Sequence, residues 1–203
     1  MLWLKFAAHI LLTQKGSDFV HDLISTPALG TVTRTIGTVT IAENSNVALA
    51  SVAARNLQAD ACAKVLKTVL GAVPGVGKAV LHDPEAGFWM GPDQWMIGAP
   101  MDTHEHIADL LKAKLGNAAS VTEQSGAWVV FDVTGSAMAD MCEILCNIPI
   151  RRMVAGDVQR TMIHQLGCFV IRRNNEEHIR ILGPRASASS LHHALVSAAT
   201  TVA

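Results

Sequence analysis

Phe88-Trp89-Met90-Gly91-Pro92-Asp93-Gln94-Trp95-Met96-Ile97, running on into Gly98-Ala99-Pro100, reads as a β-hairpin that feeds a helix. Two apolar triplets flank a four-residue turn in which Pro92 presets one φ angle and Gly91 permits the unusual one. Beyond Pro100, Asp102 followed three residues later by Glu105 forms a capping-box-like start. Gly116 stands where a helix C-cap takes positive φ. Between these signals Ile107, Leu110, Leu111 and Leu115 fall on one face, while Lys112 and Lys114 point elsewhere. The spacing predicts an amphipathic helix over 103–115.

Working outward from this corner, one order of elements occurs twice. The first pass is a strand at 47–52, a helix at 59–70, the hairpin at 87–99 and the helix at 103–115. The second is a strand at 127–133, a helix at 136–146, a hairpin over 161–182 and a helix at 187–199. The corners agree in detail: Pro100 is followed at seven, ten and eleven residues by Ile107, Leu110 and Leu111, and Pro184 by Leu191, Ala194 and Leu195. A duplicated β-α-β-β-α unit follows. Each apolar helix stripe needs a sheet face to cover it, so the expected fold class is α+β, with antiparallel or mixed sheets carrying helices. The domain is expected over 47–203, in halves of about 47–116 and 127–199. Residues 1–46 read as an N-terminal arm or linker, because 17–46 turn to Thr, Gly, Ser and Asn with one strand at 38–42. Such an arm would bury its apolar side chains by docking along a neighbouring subunit.

The chain has 203 residues, half of them apolar and 16% charged, which suffices for a real core and argues against disorder. A net charge of -1 with scattered Lys and Arg gives no basic field for a phosphate backbone, so nucleic acid is excluded as a partner. With a mean hydropathy of +0.30 there is little charge to cover a lone monomer, and part of the apolar surface is expected against another protein. The run 1–12 is apolar but carries Lys5 and His9 and is shorter than the roughly 20 residues of a membrane span. It lacks the basic start and cleavage site of a signal peptide and reads as a short amphipathic helix. Cys62, Cys142, Cys146 and Cys168 are too scattered for the disulfide framework of a small secreted domain, which points to a reducing, cytoplasmic setting.

No constellation reaches a complete site. Cys142 and Cys146 share a helix face, but Met138, Met141 and Leu145 lie on the same helix, and a buried apolar stripe accounts for both thiols without further ligands. His104 and His106 diverge on a helix, and His192 and His193 are adjacent. Neither pair converges on a metal, and both read as solvated helix histidines. The loop 71–78 ends in Gly77-Lys78 but lacks phosphate-loop spacing, a following Ser or Thr and a preceding strand, so it reads as a flexible connector. No dinucleotide fingerprint follows a strand. The doublets Arg151-Arg152 and Arg172-Arg173 could fork a carboxylated ligand such as a folate tail, or could form salt bridges at a surface or interface. Ser187, Ser189 and Ser190 suit a helix start and sit in no nucleophile elbow.

Several segments resemble one family in order. Gly91-Pro92-Asp93-Gln94-Trp95-Met96 resembles the GPDQWL hairpin of sarcosine oxidase gamma subunits and their aminomethyltransferase-like relatives. Leu49-Ala50-Ser51-Val52-Ala53-Ala54-Arg55 is similar to the family's LASLAAR. Leu145-Cys146-Asn147-Ile148-Pro149-Ile150 is similar to GCPIDL. Gly156-Asp157-Val158-Gln159-Arg160-Thr161 resembles the G...QT that follows, and Pro184-Arg185-Ala186-Ser187-Ala188 resembles PRSFA. Arg160 is an insertion before the Thr of the family's Gln-Thr pair, the last helix lacks the family's Trp, and the arm has no counterpart. The resemblance covers about 46–202. It implies a fold like the folate-binding domain of the glycine-cleavage aminomethyltransferase. It further implies a non-catalytic gamma subunit in a heterotetrameric sarcosine oxidase, beside larger alpha and beta flavoprotein subunits and a small delta subunit. FAD, FMN, NAD and tetrahydrofolate are then expected in the partner subunits and none in this chain. No catalytic, cofactor-binding or metal-binding residue is assigned to it. The competing expectations are a subunit of a related secondary-amine oxidising complex, a stand-alone folate-dependent transferase, and an α+β interaction domain of unrelated origin.

Overall fold

The computed structural model describes residues 26–82, 84–173 and 176–203. The run 1–12 and the beginning of the arm lie outside the described residues. In chain order the elements are β1 (Thr33–Ile36), β2 (Val39–Glu43), β3 (Ala48–Ala54), α1 (Ala59–Leu70), β4 (Ala79–Val80), β5 (Ala86–Gly91), β6 (Gln94–Ala99), α2 (Met101–His104), α3 (Ile107–Leu115), β7 (Ala119–Glu123), β8 (Trp128–Thr134), α4 (Met138–Leu145), β9 (Val158–Ile163), β10 (Leu166–Arg172), β11 (His178–Pro184) and α5 (Ala188–Thr201).

Alternation along β3 decides how the layers stack. Ala48, Ala50 and Val52 turn to one side and pack with Cys62, Leu66 and Leu70 of α1 and Ile107, Leu111 and Leu115 of α3. Leu49 turns to the other side and meets the second sheet. In that sheet Phe131, Val133, Ile179 and Ile181 face Met141 of α4 and Leu191, Leu195 and Ala199 of α5. Between the sheets Phe88 and Met96 pack on Val130, Phe169, Ile171 and Leu182. The Phe88 and Phe169 rings tilt against each other at 5.1 Å, with Trp128 at 5.6 Å from Phe169. The order is helices, sheet, sheet, helices. Burying Phe88 and Phe169 contributes about 2–3 kcal/mol each to holding the two sheets together.

Strand order is β4-β5-β6-β3-β7 in the first sheet and β9-β10-β11-β8-β2-β1 in the second, and the described pairings are antiparallel. Read side by side, β3 corresponds to β8, β6 to β11, β5 to β10 and β4 to β9. The remaining strands are exchanged: β2 precedes the first unit but pairs with β8, and β7 precedes the second unit but pairs with β3. The corresponding edges β4 and β9 meet at Lys78 and Asp157, where Ala79 N–H donates to Gly156 O (2.7 Å) and Val158 N–H to Gly77 O (2.8 Å). The Lys78 ammonium also pairs with the Asp157 carboxylate.

The duplicated α+β reading is the fold, with several local differences. The strand expected at 38–42 is one arm of a hairpin, β1–β2, whose Val39 and Ile41 are fully buried against the second core. Residues 33–43 are therefore sheet, and a division at 46/47 separates strands that share hydrogen bonds. The stretch 161–182 is not one hairpin but the end of a three-stranded meander, β9–β10–β11. Its first turn is made by His164 and Gln165, both at positive φ, a reversal that carries no Gly or Pro to announce it. In the hairpin at 91–94 the positive φ falls on Asp93 (+54°), not on Gly91. Aspartate tolerates that region better than most residues. The helix expected at 103–115 breaks at 105–106 into α2 and α3. No capping box forms, because Pro100 holds the N-cap position and the Asp102 N–H donates to Asn46 Oδ1 at 3.1 Å.

Candidate functional site

The sheets lie together over their large side chains and part where those side chains become small. On β5 and β6 the cross-strand pair Phe88–Met96 gives way to the pair Ala86–Gly98 on the same face. Opposite, the inner face of the second sheet passes from Val130 and Leu182 to Asp132 and Arg180, again a cross-strand pair. The result is a cavity of about 210 Å³ between the sheets. Its walls are apolar, including Leu49, Phe88, Val130 and Ile171, and one end carries Asn44, Asn46, Arg173 and Arg180.

Asp132 organises that end. Arg180 donates through Nε to Oδ1 and through Nη2 to Oδ2, both at 2.8 Å. Asn44 Nδ2 donates to Oδ2 at 2.7 Å, and His178 Nε2 lies 3.1 Å from Oδ1. Burial raises the Asp132 pKa, but the hydrogen bonds from His178, Arg180 and Asn44, with the Arg180 charge, outweigh it and hold the carboxyl well below the usual range. The carboxylate is thus charged at neutral pH and fixes the plane of the guanidinium.

The residues singled out from sequence fall elsewhere for the most part. Arg151 is exposed and forks Glu143 at 2.7 and 3.1 Å while also reaching Asp140, so it makes a surface ion pair. Arg172 lies beside Met138, its Nη1 3.9 Å from the sulfur. Only Arg173 of the two doublets lines the cavity. Arg180, Asp132 and Asn44 went unread, although the alternation of Arg180 with buried Ile179 and Ile181 was a signal that it turns to the opposite face from the α5 core.

Cys62, Cys142 and Cys168 are buried, Cys146 is half-buried, and all four thiols are free. Burial pushes the Cys142 thiol up to about 12, with smaller effects from Cys146 and Glu143 opposed by Arg172. Cys168 rises to about 11, burial again leading. Both thiols are inert at neutral pH. Among the described residues no group of three or more His, Cys, Asp or Glu is placed to hold a metal ion. His104 touches Thr103 and Glu85. His192, unlike His193, is not a solvated histidine: its ring stacks on Phe131 at 5.8 Å and its Nε2 is buried. The loop 71–78 is pinned instead of free. Trp95 Nε1 donates to Pro74 O at 2.9 Å, and Trp89 N–H to Lys78 O at 3.0 Å. Ser187 stands at the N-cap position of α5 without a side-chain cap bond, and Ser189 and Ser190 are exposed.

No family model matches the sequence, and no curated protein matches it by sequence. Structures do match. The chain superimposes on a chain of the heterotetrameric sarcosine oxidase from Corynebacterium sp. U-96, in complex with pyrrole 2-carboxylate, with a TM-score of 0.71 at 21% identity. The alignment covers 83% of this chain and 87% of that one. The two share a fold. Glycine cleavage system aminomethyltransferase T from Bartonella henselae matches with a TM-score of 0.59 at 15% identity, over 80% of this chain and 46% of that chain. This chain therefore spans under half the length of the aminomethyltransferase chain. Over the matched parts both proteins share the α+β fold of this chain, the fold class that the segment resemblance implied. No helix among the described residues is long and apolar enough to cross a membrane.

Proposed function

We propose that this chain is a non-catalytic, gamma-type subunit of a heterotetrameric sarcosine oxidase complex, in which it acts as a scaffold for larger flavoprotein subunits and a small fourth chain. The observation that carries the reading is the reciprocal fit: one chain of a heterotetrameric oxidase is matched over 87% of its length, whereas the aminomethyltransferase chain is matched over 46%. The surface agrees with a covered role. Leu57, Val76, Ile144, Val154 and Met162 are large apolar side chains more than half exposed. The chemistry agrees too, since the buried thiols are held protonated and the most organised polar group, Asp132 with its partners, is saturated by its own hydrogen bonds. FAD, FMN, NAD and tetrahydrofolate would be held by the partner subunits, and the assembled complex would demethylate sarcosine to glycine, release hydrogen peroxide and pass the one-carbon unit to tetrahydrofolate in the cytoplasm.

The test is purification of the complex through a tag on this chain, from cells that also express the genes flanking its own. Two flavoprotein-sized chains and one small chain should co-elute in fixed ratio, with flavin absorbance and sarcosine-dependent peroxide formation. A lone, flavin-free monomer under the same conditions would refute the assignment. A complex that oxidises another secondary amine and spares sarcosine would keep the scaffold role and change the substrate.

A further inference from the structure

We infer that residues 1–12 of this chain dock as an amphipathic helix in the groove between α4 and α5. Ile144 and Leu145 form the α4 side of that groove, Ala194, Ser197, Ala198 and Thr201 form its α5 side, and the space between them is about 330 Å³. Ala194 and Ala198 stand one helical turn apart, so the floor is made of methyl groups and a large side chain from outside can sit down between the two helices. Thr201 returns its hydroxyl to Ser197 O at 3.0 Å. None of the described lining residues is Lys, Arg, Asp or Glu, and the remaining polar groups are His164 and His193, both exposed. Glu143, the residue before Ile144, is taken up by Arg151 at 2.7 Å. Ile144 itself is 54% exposed, a large apolar side chain that the described fold leaves uncovered.

The run 1–12 has the chemistry this groove accepts. Trp3, Phe6, Ala7, Ile10 and Leu11 recur at the i, i+3, i+4, i+7 spacing of one helix face, and Lys5 and His9, four apart, take the opposite face. The apolar face thus offers two aromatic rings and two branched aliphatic side chains, without charge, to a groove without charge. A helix of this length is marginal by itself in water and is stabilised by packing its apolar face.

Connectivity favours this occupant over a second copy or another protein. The described chain begins at Thr26, whose carbonyl accepts a hydrogen bond from Arg185, just before α5 starts at Ala188. From there the chain already follows that helix: Leu29, Val32 and Ile36 pack on the core that α5 covers, and β1 lies against α5. Residues 13–25 reach up to roughly 40 Å when extended, whereas α5 is only about 20 Å long, so the tether spans the distance without strain. It also sets the local concentration of the segment at about the millimolar level, which a free partner must exceed to compete. The inference goes beyond the scaffold role and does not depend on it.

The experiment is NMR on the ¹³C,¹⁵N-labelled full-length chain. The Ile144 methyl groups should show cross-relaxation to the ring protons of Trp3 or Phe6, unchanged on tenfold dilution. A chain carrying Phe6→Asp and Ile10→Asp together should lose those contacts, shift the amides of Ile144, Ser197 and Ala198, and exchange the amide protons of 6–11 at least tenfold faster, while Lys5→Gln should leave all of these in place. Ser197→Trp, which fills the groove from an exposed position, should release the segment in the same way with the rest of the spectrum folded. Three results would each overturn the inference: no contact between Ile144 and either ring, contacts that fade on dilution as a dimer dissociates, and groove amides indifferent to the paired aspartates.

Discussion

Arg180 and Asp132 stand opposite each other in the register of β11 and β8 and close a planar two-bond fork, at 2.8 Å for each bond, on the inner face of the second sheet. Side-chain exposure is 20% for Arg180 and 18% for Asp132, so solvent screens the pair only in part. Removing the carboxylate strands a guanidinium and an Asn44 amide that both donate to it. Asp132→Ala should therefore lower stability by about 2–3 kcal/mol at neutral pH, read from urea denaturation. The carboxyl is depressed in the folded chain, so its contribution is complete above its unfolded pKa of about 3.9 and is lost as the pH falls from there through the lower folded value. Wild-type and Asp132→Asn stability curves should differ in slope below about pH 4 and run parallel above it. Parallel curves throughout would mean that the fork is not formed.

His192 should carry a separate pH dependence nearer neutrality. Burial, then the positive charge of Arg34, depress its pKa, with His193 adding to the effect and Glu43 opposing it. Its Nε2 is buried without a hydrogen-bond partner among the described residues, so protonation adds a charge that nothing receives. Folding favours the neutral ring. The stability this gives is complete above the unfolded pKa of about 6.5 and falls as the pH drops from there to the depressed folded value. Thermal melts of the wild type at pH 7.5 and pH 5.5 should bracket this loss, and His192→Phe, stacked on Phe131 in the same way, should remove the part of it that belongs to this residue.

One glycine is indispensable for a reason the sequence does not display. Gly135, just beyond β8, has φ +123°, and a Cβ placed on it would lie 1.7 Å from Thr38 O in the β1–β2 turn. Backbone meets backbone there, so neither side can swing away. Gly135→Ala should cost about 3–5 kcal/mol or prevent the β1–β2 hairpin from docking, detected as lost amide protection in 33–43. Gly91→Ala in the hairpin that opened the sequence reading meets nothing within 4 Å and has no positive φ. It should change stability by less than about 0.5 kcal/mol.

That contrast explains what was legible and what was not. Helix α1 and the final helix were readable because Cys62, Leu66 and Leu70, and Leu191, Leu195 and Ala198, repeat every three or four residues, and that period survives in a single chain. The two-fold repetition was readable for the same reason. Strand exchange was not, since nothing local says that β2 pairs with β8 and not with the strand that follows it. β7 was missed because Ser120, Thr122 and Glu123 on a sheet edge carry little apolar signal. The cavity was invisible because it is made by the meeting of Ala86 and Gly98 with Arg180 across two sheets, while the Arg doublets drew attention by being adjacent in sequence although only Arg173 of them lines it.

Leu57 connects the surface to the proposed assembly. It sits in the turn between β3 and α1, closed by the Gln58 N–H donating to Arg55 O at 2.9 Å, and it has φ +63° while 93% exposed. A branched apolar residue in that conformation costs about 1–2 kcal/mol, and exposure offers no packing in return. Asn in its place suits both the φ and the solvent. In the isolated chain Leu57→Asn should therefore raise stability by about 1 kcal/mol. If the side chain is retained because another subunit covers it, the same change should weaken assembly, measured as a lower yield of the complex through the tag on this chain at matched expression. Stabilisation with no loss of assembly would assign the contact to other exposed residues, such as Val154 or Met162, and remove Leu57 from the interface.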